Sequence, residues 1–351
     1  MTGEFLKKTL LSMILVVNSK RFIIVLITIG FLCCKKEQES YSAFQGYAQG
    51  STFRVVYKAV SDKEYIHSVD SILAVIDKSM SLWDSTSLIT RINESAEVLV
   101  VDRHFEAVFN RSKYFHEISK GAFDPTLGPL ISAWGFARKQ GLELPNQEKI
   151  DSLKDLVDFN HFSLLNGYLT KSKWNSELDF NAIAQGYTVD VLGEYLESEG
   201  ITEYLIELGG ETLAKGFNQS GEKWKVGIER PDWNNTSTNN AVKTVVGLSN
   251  AALVTSGSYR KFIEKEGKKY SHTLDSRTGK PVIHNLLSVA VITNNAMDAD
   301  AYATMFMVIG KDSAIAYAEK NQIKIQCIYE EKGEMKTAYS KGFKELIILE
   351  N

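Results

Sequence analysis

Several segments of the chain repeat their hydrophobic residues at the spacing of an α-helix. Side chains three or four positions apart share one face of a helix, so each segment predicts an amphipathic helix. The clearest segments are 65–83, 104–119 and 178–200, followed by 297–309 and 312–320. The apolar faces of the first three are formed by Ile66, Val69, Ile72, Val75 and Ile76; by Phe105, Val108, Phe109 and Phe115; and by Ile183, Tyr187, Val191, Leu192, Tyr195 and Leu196.

Other segments have the character of β-strands, and 53–57 and 323–330 among them alternate apolar and polar residues, which is the period of a half-buried strand. The strand segments are 53–57, 202–208, 211–216, 224–231, 252–262, 286–293 and 323–330. Strands and helices do not alternate strictly, which predicts an α+β fold with a mostly antiparallel sheet packed against helices. Gly209 and Gly210 separate two of these strands and predict a tight turn rather than a phosphate-binding loop. Asp-Pro and Gly-Pro pairs predict a loop over 121–129.

The composition is that of a soluble globular protein. The chain has 351 residues, of which 44% are hydrophobic and 24% are charged. A formal net charge of -3 gives no sign of the basic surface that nucleic-acid binding needs, so no nucleic-acid partner is expected. Because no internal repeat or Pro/Gly-rich linker divides the body, we predict a single domain over 44–346 after a polar tether over 34–43.

The N-terminus has the layout of an export signal. A basic pair precedes an apolar run, residues 22–32, which ends at Cys33 and Cys34. This run is too short for a membrane-spanning helix, which needs about 20 apolar residues. A cysteine in that place is similar to the lipid-carrying cysteine of bacterial lipoproteins, so we predict a signal peptide over 1–33 and a lipid on Cys34. A lipid on Cys33, a plain signal peptide, a short anchor and a start at Met13 remain open.

Cys327 is the only cysteine that would remain besides Cys34, so no disulfide framework is expected. It alternates with polar neighbours at strand period, which predicts a buried thiol. The six histidines show no zinc-binding spacing.

Asp300 and Thr304 form the most specific candidate site in the sequence. They lie four positions apart at the start of a predicted helix, so both side-chain oxygens project from one face. A carboxylate and a hydroxyl are hard oxygen ligands that suit Mg²⁺. The segment has a second interpretation, because Asp298 and Asp300 also favour a helix N-terminus through capping and the helix dipole. This segment alone leaves both interpretations open.

Two further segments carry residues that could bind a ligand or take part in catalysis. The first is a run of small residues at a helix start: Ala182, Ala184 and Gly186. Such a start leaves N–H groups open to phosphate and a carbonyl open to a cation, although tight helix packing explains small residues equally well. The second is a polar segment with a base, a carboxylate and a phosphate-binding fork: His272, Asp275 and Arg277. An ordinary polar hairpin would have a similar sequence.

Seven segments occur together in the order and at the spacing of a known family. They are SLWDSTSLITRIN (81–93), GAFDPTLGPL with AWGF (121–136), DFNAIAQGYTVD (179–190), ELGGETLAKG (207–216), TSGSYRKF (255–262), YSHTLDSRTGKPV (270–282) and DADAYAT (298–304). Over about residues 44–346 the chain therefore resembles the FAD:protein FMN transferases of the ApbE type.

The resemblance implies a T-fold-like α+β body that binds FAD as its substrate and Mg²⁺ as its cofactor. It implies transfer of FMN from FAD to a Thr or Ser hydroxyl of a partner flavoprotein, with release of AMP. It also implies a bacterial cell-envelope protein, lipid-anchored to the membrane and facing the periplasm. The expected acceptors are flavoprotein subunits of envelope electron-transport complexes.

The family pattern also assigns residues. The metal ligands would be Asp300, Thr304 and the backbone carbonyl of Ala182. The nucleotide site would comprise Gln49, Trp83, Ala122, Phe123, Asp124, Asp179, Gln185 and Thr273. We assign the base for the acceptor hydroxyl to His272 or Asp275.

The chain departs from the family pattern at three positions. Gln49 stands where the family usually has Met, Gln185 where Lys or Glu is common, and Ser276 where Pro is usual. The first two put contacts to the nucleotide in doubt. None of the three affects the proposed metal pair.

Two other functions fit the same residues. An FAD pyrophosphatase would use the same metal with water in place of the protein hydroxyl, giving FMN and AMP. A flavin-binding lipoprotein would hold its ligand unprocessed, but storage does not need the phosphate-bridging metal that Asp300 and Thr304 suggest. Covalent attachment of flavin to protein separates the transferase from both.

Overall fold

The computed structural model describes residues 40–136, 144–231, 242–259, 262–265 and 268–350. The predicted signal peptide and Cys34 lie outside these residues. Helices α1 to α8 span, in order, Ile66–Met80, Leu88–Glu94, Arg103–Ser119, Gly128–Ala133, Gln147–Lys154, Ala184–Ser198, Ala296–Ile309 and Lys311–Asn321. Strands β1 to β18 span Tyr41–Ala48, Ser51–Lys58, Leu99–Val100, Phe162–Leu165, Tyr168–Lys171, Tyr204–Leu208, Glu211–Lys215, Trp224–Glu229, Val242–Leu248, Ala251–Gly257, Phe262–Lys265, Lys268–Ser271, Leu274–Asp275, Lys280–Pro281, Leu286–Thr293, Lys324–Glu331, Glu334–Tyr339 and Ile347–Glu350.

Eight strands form one large sheet in the order β1-β2-β6-β7-β10-β15-β16-β17. Every neighbouring pair in it is antiparallel. The central strands are apolar on both faces: Val289 and Val291 of β15 belong to one core, and Ala290 and Ile292 belong to the core on the opposite side. A strand that is covered on both sides needs apolar residues in every position. The predicted α+β fold with a mostly antiparallel sheet is confirmed.

Helices α1, α6 and α7 cover one face of the large sheet. Helices α1 and α6 pack on β2 and β6 through a shared set of buried side chains: Val69, Leu73, Val189, Leu192 and Leu196. Helix α7 packs on β10 and β15 and also contacts α3, α6 and α8. Because α7 is enclosed on nearly all sides, its few polar residues must find partners close by.

A small sheet, in the order β18-β9-β8, covers the other face. Trp224, Val246 and Leu248 from this sheet pack against Leu253 and Ile292 of the large one. The body is thus a helical layer, a large sheet and a small sheet.

The predicted helices are confirmed, with differences at their ends and faces. Helix α6 begins only at Ala184, because residues 181–183 form a turn. Val75, which was predicted on the apolar face of α1, is 54% exposed. The helix contacts its core through Val69, Leu73 and Ile76, and Val75 lies off that row.

The ends of the described body lie slightly outside the predicted domain limits. Strand β1 begins at Tyr41, inside the segment predicted as tether, and pairs along its whole length with β2. Strand β18 begins after residue 346 and pairs with β9. Both strands were missed because each is short or only half-buried, which leaves a weak alternating pattern. Among the described residues, no helix combines the length and the apolar character needed to cross a membrane.

Candidate active site

The close approach of α6 to α7 organises the candidate site. Gly186 lies on the first turn of α6, where an added Cβ would come within 2.4 Å of the Ala296 carbonyl oxygen and 2.9 Å of Asp300 Cβ. Only glycine allows this approach. The Gly186 N–H donates a hydrogen bond to Asp300 Oδ2 over 3.2 Å. The predicted metal-binding carboxylate is therefore held directly against the start of α6.

This hydrogen bond changes the backbone of the preceding turn. In a continuous helix the Gly186 N–H would donate to the carbonyl of Ala182, but here it donates to Asp300. Within the described part of the chain, no backbone N–H reaches the Ala182 carbonyl. A carbonyl oxygen without its helical partner is a suitable ligand for a hard cation. Of the predicted trio, Asp300 contacts the start of α6, Thr304 lies one turn further along α7, and Ala182 lies in the turn that leads into α6.

The environment of Asp300 favours a cation. The residue is only 5% exposed. Burial, and then the like charge of Glu211, raise the pKa of Asp300 well above its usual value. A bound cation would relieve both effects, because it supplies the opposite charge that the buried carboxylate lacks.

The donor set that the sequence predicts for this region suits Mg²⁺ in its chemistry. It consists of a carboxylate, a hydroxyl and a carbonyl, all oxygen ligands. The described residues contain no cluster of three or more His, Cys, Asp or Glu side chains that could hold a metal. A metal here would therefore rely on mixed oxygen ligands and on oxygens of the substrate rather than on a closed protein cage.

The glycine turn brings Glu211 to the site. Leu208 pairs with Glu211 across the two-residue turn of Gly209 and Gly210, which confirms the predicted hairpin. A Cβ on Gly209 would lie 2.8 Å from Gln185 Nε2 and 3.0 Å from Glu211 Oε2. Both atoms are the ends of flexible side chains, so the stronger reason for glycine here is the left-handed backbone, with φ of 66°.

The N-terminus of α7 is fixed by groups from three directions. Asp190 of α6 accepts hydrogen bonds from the Ala296 and Met297 N–H groups, at 2.7 and 2.8 Å. Asn295 caps the helix by accepting from the Asp298 N–H. Arg111 of α3 forms a bidentate ion pair with Asp298, with both N–O distances 2.6 Å. Asp298 thus faces Arg111, away from the predicted metal ligands.

Gln49 links the β1–β2 turn to α6. Its backbone is left-handed, with φ of 51°. Its side-chain Nε2 donates to Thr188 Oγ1 over 3.0 Å, and its carbonyl accepts from Gln185 Nε2 over 3.5 Å. A hydrogen bond from Gln49 also lowers the pKa of Asp77, although burial raises that pKa by more. The structure thus brings two predicted nucleotide-site residues, Gln49 and Gln185, into contact.

The loop of the predicted nucleotide site is tied to two neighbouring segments. The Asp179 N–H donates to the Pro125 carbonyl over 2.7 Å. Ser276 Oγ donates to the carbonyl of Gly121. Segments 121–126, 179–185 and 272–276, which are far apart in sequence, therefore meet in space.

Within that loop, Ala122, Phe123 and Asp124 are all buried. Burial raises the pKa of Asp124, and hydrogen bonds from Thr126 and the nearby His116 ring oppose this rise. The His116 Nδ1 lies 3.5 Å from Asp124 Oδ2.

In the polar segment 270–282, the guanidinium of Arg277 has a partner that the sequence did not predict. Arg277 forms a bidentate pair with Asp275, with both N–O distances 2.8 Å. This guanidinium is therefore already paired with a carboxylate rather than held out for phosphate. His272 is half-buried, with its ring 6.4 Å from that of Phe136. Its neighbour Thr273 is half-buried in the same hairpin. Elsewhere, in the loop between α1 and α2, the predicted stacking residue Trp83 is 69% exposed.

Sequence reasoning missed three residues at this site: Arg111, Asp190 and Glu211. Two of them carried a local signal. Asp190 lies four positions after Gly186 and so shares its helix face, and Glu211 directly follows the glycine pair. Arg111 carried none, because its partner Asp298 is 187 positions away.

The buried carboxylates predict a pH dependence of stability. Burial raises the pKa of Asp190 to about 7 and raises that of Asp300 well above its usual value. Unfolded carboxyl groups titrate near about 4, so the folded state binds more protons above that pH. We expect the free energy of unfolding of the metal-free protein to fall as the pH rises from about 5 to about 8. Urea unfolding at several pH values measures this free energy, and a value that stays constant or rises with pH would contradict the expectation. Asp190→Asn should make the free energy of unfolding depend less steeply on pH.

Comparison with known proteins shows similarity along most of the chain. The model of the ApbE family matches residues 49–329. The FAD:protein FMN transferase of Vibrio cholerae is 30% identical over 321 residues, covering 90% of this chain and 95% of the relative. The enzyme of the same name from Escherichia coli K12 is 31% identical over 326 residues, covering 90% of this chain and 92% of the relative.

Solved structures agree with this similarity. Flavin transferase ApbE from Vibrio cholerae superposes with a TM-score of 0.79 at 29% identity, covering 88% of this chain and 99% of that one. The apo form of flavinyl transferase ApbE from Pseudomonas stutzeri gives a TM-score of 0.79 at 33% identity, covering 88% of this chain and 97% of that one. The predicted architecture is thereby confirmed.

Proposed function

Because this chain belongs to the ApbE family, we propose that it is a Mg²⁺-dependent FAD:protein FMN transferase. The proposal is carried by one observation above all: the buried Asp300 carboxylate accepts from the Gly186 N–H, which leaves the Ala182 carbonyl without its helical donor. The names of the Vibrio cholerae and Escherichia coli relatives, which this chain matches over most of their length, support the same activity.

In the proposed reaction, a Thr or Ser hydroxyl of the acceptor protein attacks the FMN-side phosphorus of FAD. A new P–O bond forms to the hydroxyl oxygen, and the bond from that phosphorus to the bridging oxygen breaks. AMP leaves with the bridging oxygen, and the hydroxyl proton passes to a base. Positioning and charge stabilisation account for most of the catalysis in such phosphoryl chemistry.

In this proposal, one set of residues supplies the metal ligands and another residue supplies the base. Ala182, Asp300 and Thr304 would hold Mg²⁺, which stabilises negative charge on the pyrophosphate. We assign the base to His272, because Arg277 already occupies both oxygens of the alternative, Asp275.

The nucleotide would lie along the joined segments 121–126 and 179–185. Gln49, Ala122, Phe123, Asp124, Asp179, Gln185 and Thr273 contribute from these segments and their neighbours, and the exposed ring of Trp83 offers a stacking surface.

We further propose that the enzyme works in the bacterial cell envelope, anchored by a lipid on Cys34 and facing the periplasm. The sequence 20–34 supports this, with its basic pair, short apolar run and terminal cysteines. The acceptor would then be a flavoprotein subunit of an envelope electron-transport complex. Recovery of the native protein in the salt-washed membrane fraction tests the location, and recovery in the soluble fraction would oppose it.

The activity itself is tested with purified protein, FAD, Mg²⁺ and an acceptor that carries a Thr-containing flavinylation segment. The intact mass of the acceptor and the amount of AMP are measured, with an acceptor whose Thr is replaced by Val as the control. The proposal expects one FMN group on the first acceptor, none on the control, AMP release, and loss of both products in EDTA. AMP and free FMN without labelling would identify a pyrophosphatase, and unprocessed bound FAD would identify a binding protein.

The unusual Gln49 gives a separate prediction. Because its side-chain amide donates to Thr188 on α6, we expect Gln49→Ala to raise KM for FAD by about tenfold, the equivalent of about 1.4 kcal/mol, with little change in kcat. Gln45→Ala is the matched control, since Gln45 lies exposed on β1, the strand that leads into the turn of Gln49. Steady-state kinetics with varied FAD measure the effect. Equal KM values in the two variants would remove Gln49 from the nucleotide site.

A further inference from the structure

The contact between α6 and α7 joins two rows of residues spaced four positions apart. One row consists of Ala182, Gly186 and Asp190, and the other of Ala296, Asp300 and Thr304. Asp190 contacts the first residue of the second row, and Gly186 contacts Asp300. The rows therefore run in opposite directions. Ala182 begins the first row from within the turn 181–183, and Thr304 continues the second row one helical turn beyond Asp300.

Asp190 joins the two rows at one end through hydrogen bonds. Its Oδ1 accepts from the Ala296 N–H and its Oδ2 from the Met297 N–H, at 2.7 and 2.8 Å. With both oxygens engaged, the carboxylate is fixed in direction as well as in distance. Asn295 already supplies the ordinary cap of this helix through the Asp298 N–H. Asp190 therefore does something that the local capping residue does not: it joins two helices.

The placement of Asp190 is unfavourable apart from these two hydrogen bonds. Burial disfavours its charged form, and the like charges of Asp298 and Glu194 add to this effect. A carboxylate in such surroundings is a poor device for stability, since the desolvation opposes the gain from its hydrogen bonds. Its value is better explained by the geometry that it imposes on the residues four and eight positions away.

We propose that Asp190 is a positioning residue, which sets the register of α6 against α7 and thereby the separation of the Ala182 carbonyl from the Asp300 carboxylate. This inference rests on the metal site of the proposed function. A shift of one residue along a helix moves its groups by about 1.5 Å, whereas metal–oxygen distances tolerate about 0.2 Å. A small loss of register would thus weaken metal binding while the helices stay folded.

The test is Mn²⁺ binding to the full chain without FAD, measured by electron paramagnetic resonance, with Asp190→Asn as the variant. Asn keeps the shape of the side chain but can accept only one of the two hydrogen bonds. We expect the Kd for Mn²⁺ to rise about tenfold or more, the usual effect of removing an outer partner of a metal site. We expect kcat for transfer at saturating metal to change less than the metal concentration needed for half-maximal rate.

Asp102→Ala is the matched control. Asp102 caps α3 by accepting from the His104 and Phe105 N–H groups, at 2.8 and 3.0 Å. Its removal takes an aspartate from another helix N-terminus, so urea unfolding of both variants shows whether a loss of stability alone changes metal binding. Its Kd for Mn²⁺ should stay within about twofold of that of the unaltered protein.

Three outcomes would overturn the inference. The first is an unchanged Mn²⁺ affinity in Asp190→Asn, and the second is an equal loss of affinity in Asp102→Ala, which would indicate a general effect of stability. The third is an unaltered protein that binds no Mn²⁺, which would also defeat the metal part of the proposed function. If Asp190→Asn does not fold, Asp190→Glu replaces it: this variant keeps both oxygens on a side chain longer by one methylene, and it too should weaken Mn²⁺ binding.

Discussion

Replacing Asp300 with Ala should reduce metal-dependent FMN transfer by about a thousandfold or more. A bound metal ion contributes several kcal/mol to the stabilisation of transition-state charge, and each 1.4 kcal/mol changes a rate by about tenfold. Asp300 is the only charged member of the proposed ligand trio of Ala182, Asp300 and Thr304, so its loss removes most of the attraction for a cation. Initial rates of acceptor labelling over a range of Mg²⁺ concentrations measure the effect.

Removal of the Asp300 charge should leave the stability of the metal-free protein unchanged or raise it, although it lowers the transfer rate. The Asp300 carboxylate is buried beside the like charge of Glu211, so its charged form destabilises the metal-free fold. Asp300→Asn should therefore unfold in EDTA at the same or a higher urea concentration than the unaltered protein, while it loses transfer activity. Asp312→Ala, at an exposed acidic residue on α8, should change neither quantity. Full activity in an Asp300 variant would rule out this metal site.

Gly186→Ala should cause the second large effect. The new methyl group would lie 2.4 Å from the Ala296 carbonyl oxygen and 2.7 Å from its carbon. These are backbone atoms that cannot rotate away, so α6 and α7 must separate. Overpacking of this kind costs about 1–3 kcal/mol of stability. A displacement of about 1 Å at the reacting groups lowers rates by about a hundredfold, so we expect a loss of transfer of at least that size.

Gly227→Ala provides the comparison for this glycine. A Cβ there would meet only side-chain atoms of Val242, at 3.2 Å and beyond. We expect a small change in stability and full transfer activity. Urea unfolding and transfer rates on both variants decide the matter: if Gly186→Ala keeps both its stability and its rate, the close approach is not needed for the site.

The sequence could predict the features that depend on neighbours in the chain. Asp300 and Thr304 share a helix face because they lie four positions apart, and that spacing is visible without a structure. The same holds for the hairpin at Gly209 and Gly210. The alternation of Phe53, Val55 and Tyr57 that identified β2 also follows from a period within one strand.

Other features depend on contacts that a pattern cannot show. The Ala182 carbonyl is freed because the Gly186 N–H donates to a residue 114 positions later, so only the fold reveals it. The pairing of Arg277 with Asp275 required the conformation of the hairpin, which is why a phosphate-binding fork was expected there. The order of strands in the large sheet likewise depends on pairings between distant segments.

The buried thiol of Cys327 has a practical consequence for experiments on this enzyme. It lies in β16, between β15 and β17, with no exposed surface. Burial raises its pKa to about 12, so almost no thiolate forms at neutral pH. Alkylation of Cys327 therefore requires the β15–β16–β17 end of the large sheet to open. The rate of its modification, followed by peptide mass, reports how often a folded molecule exposes this part of its core, with no residue introduced by mutation.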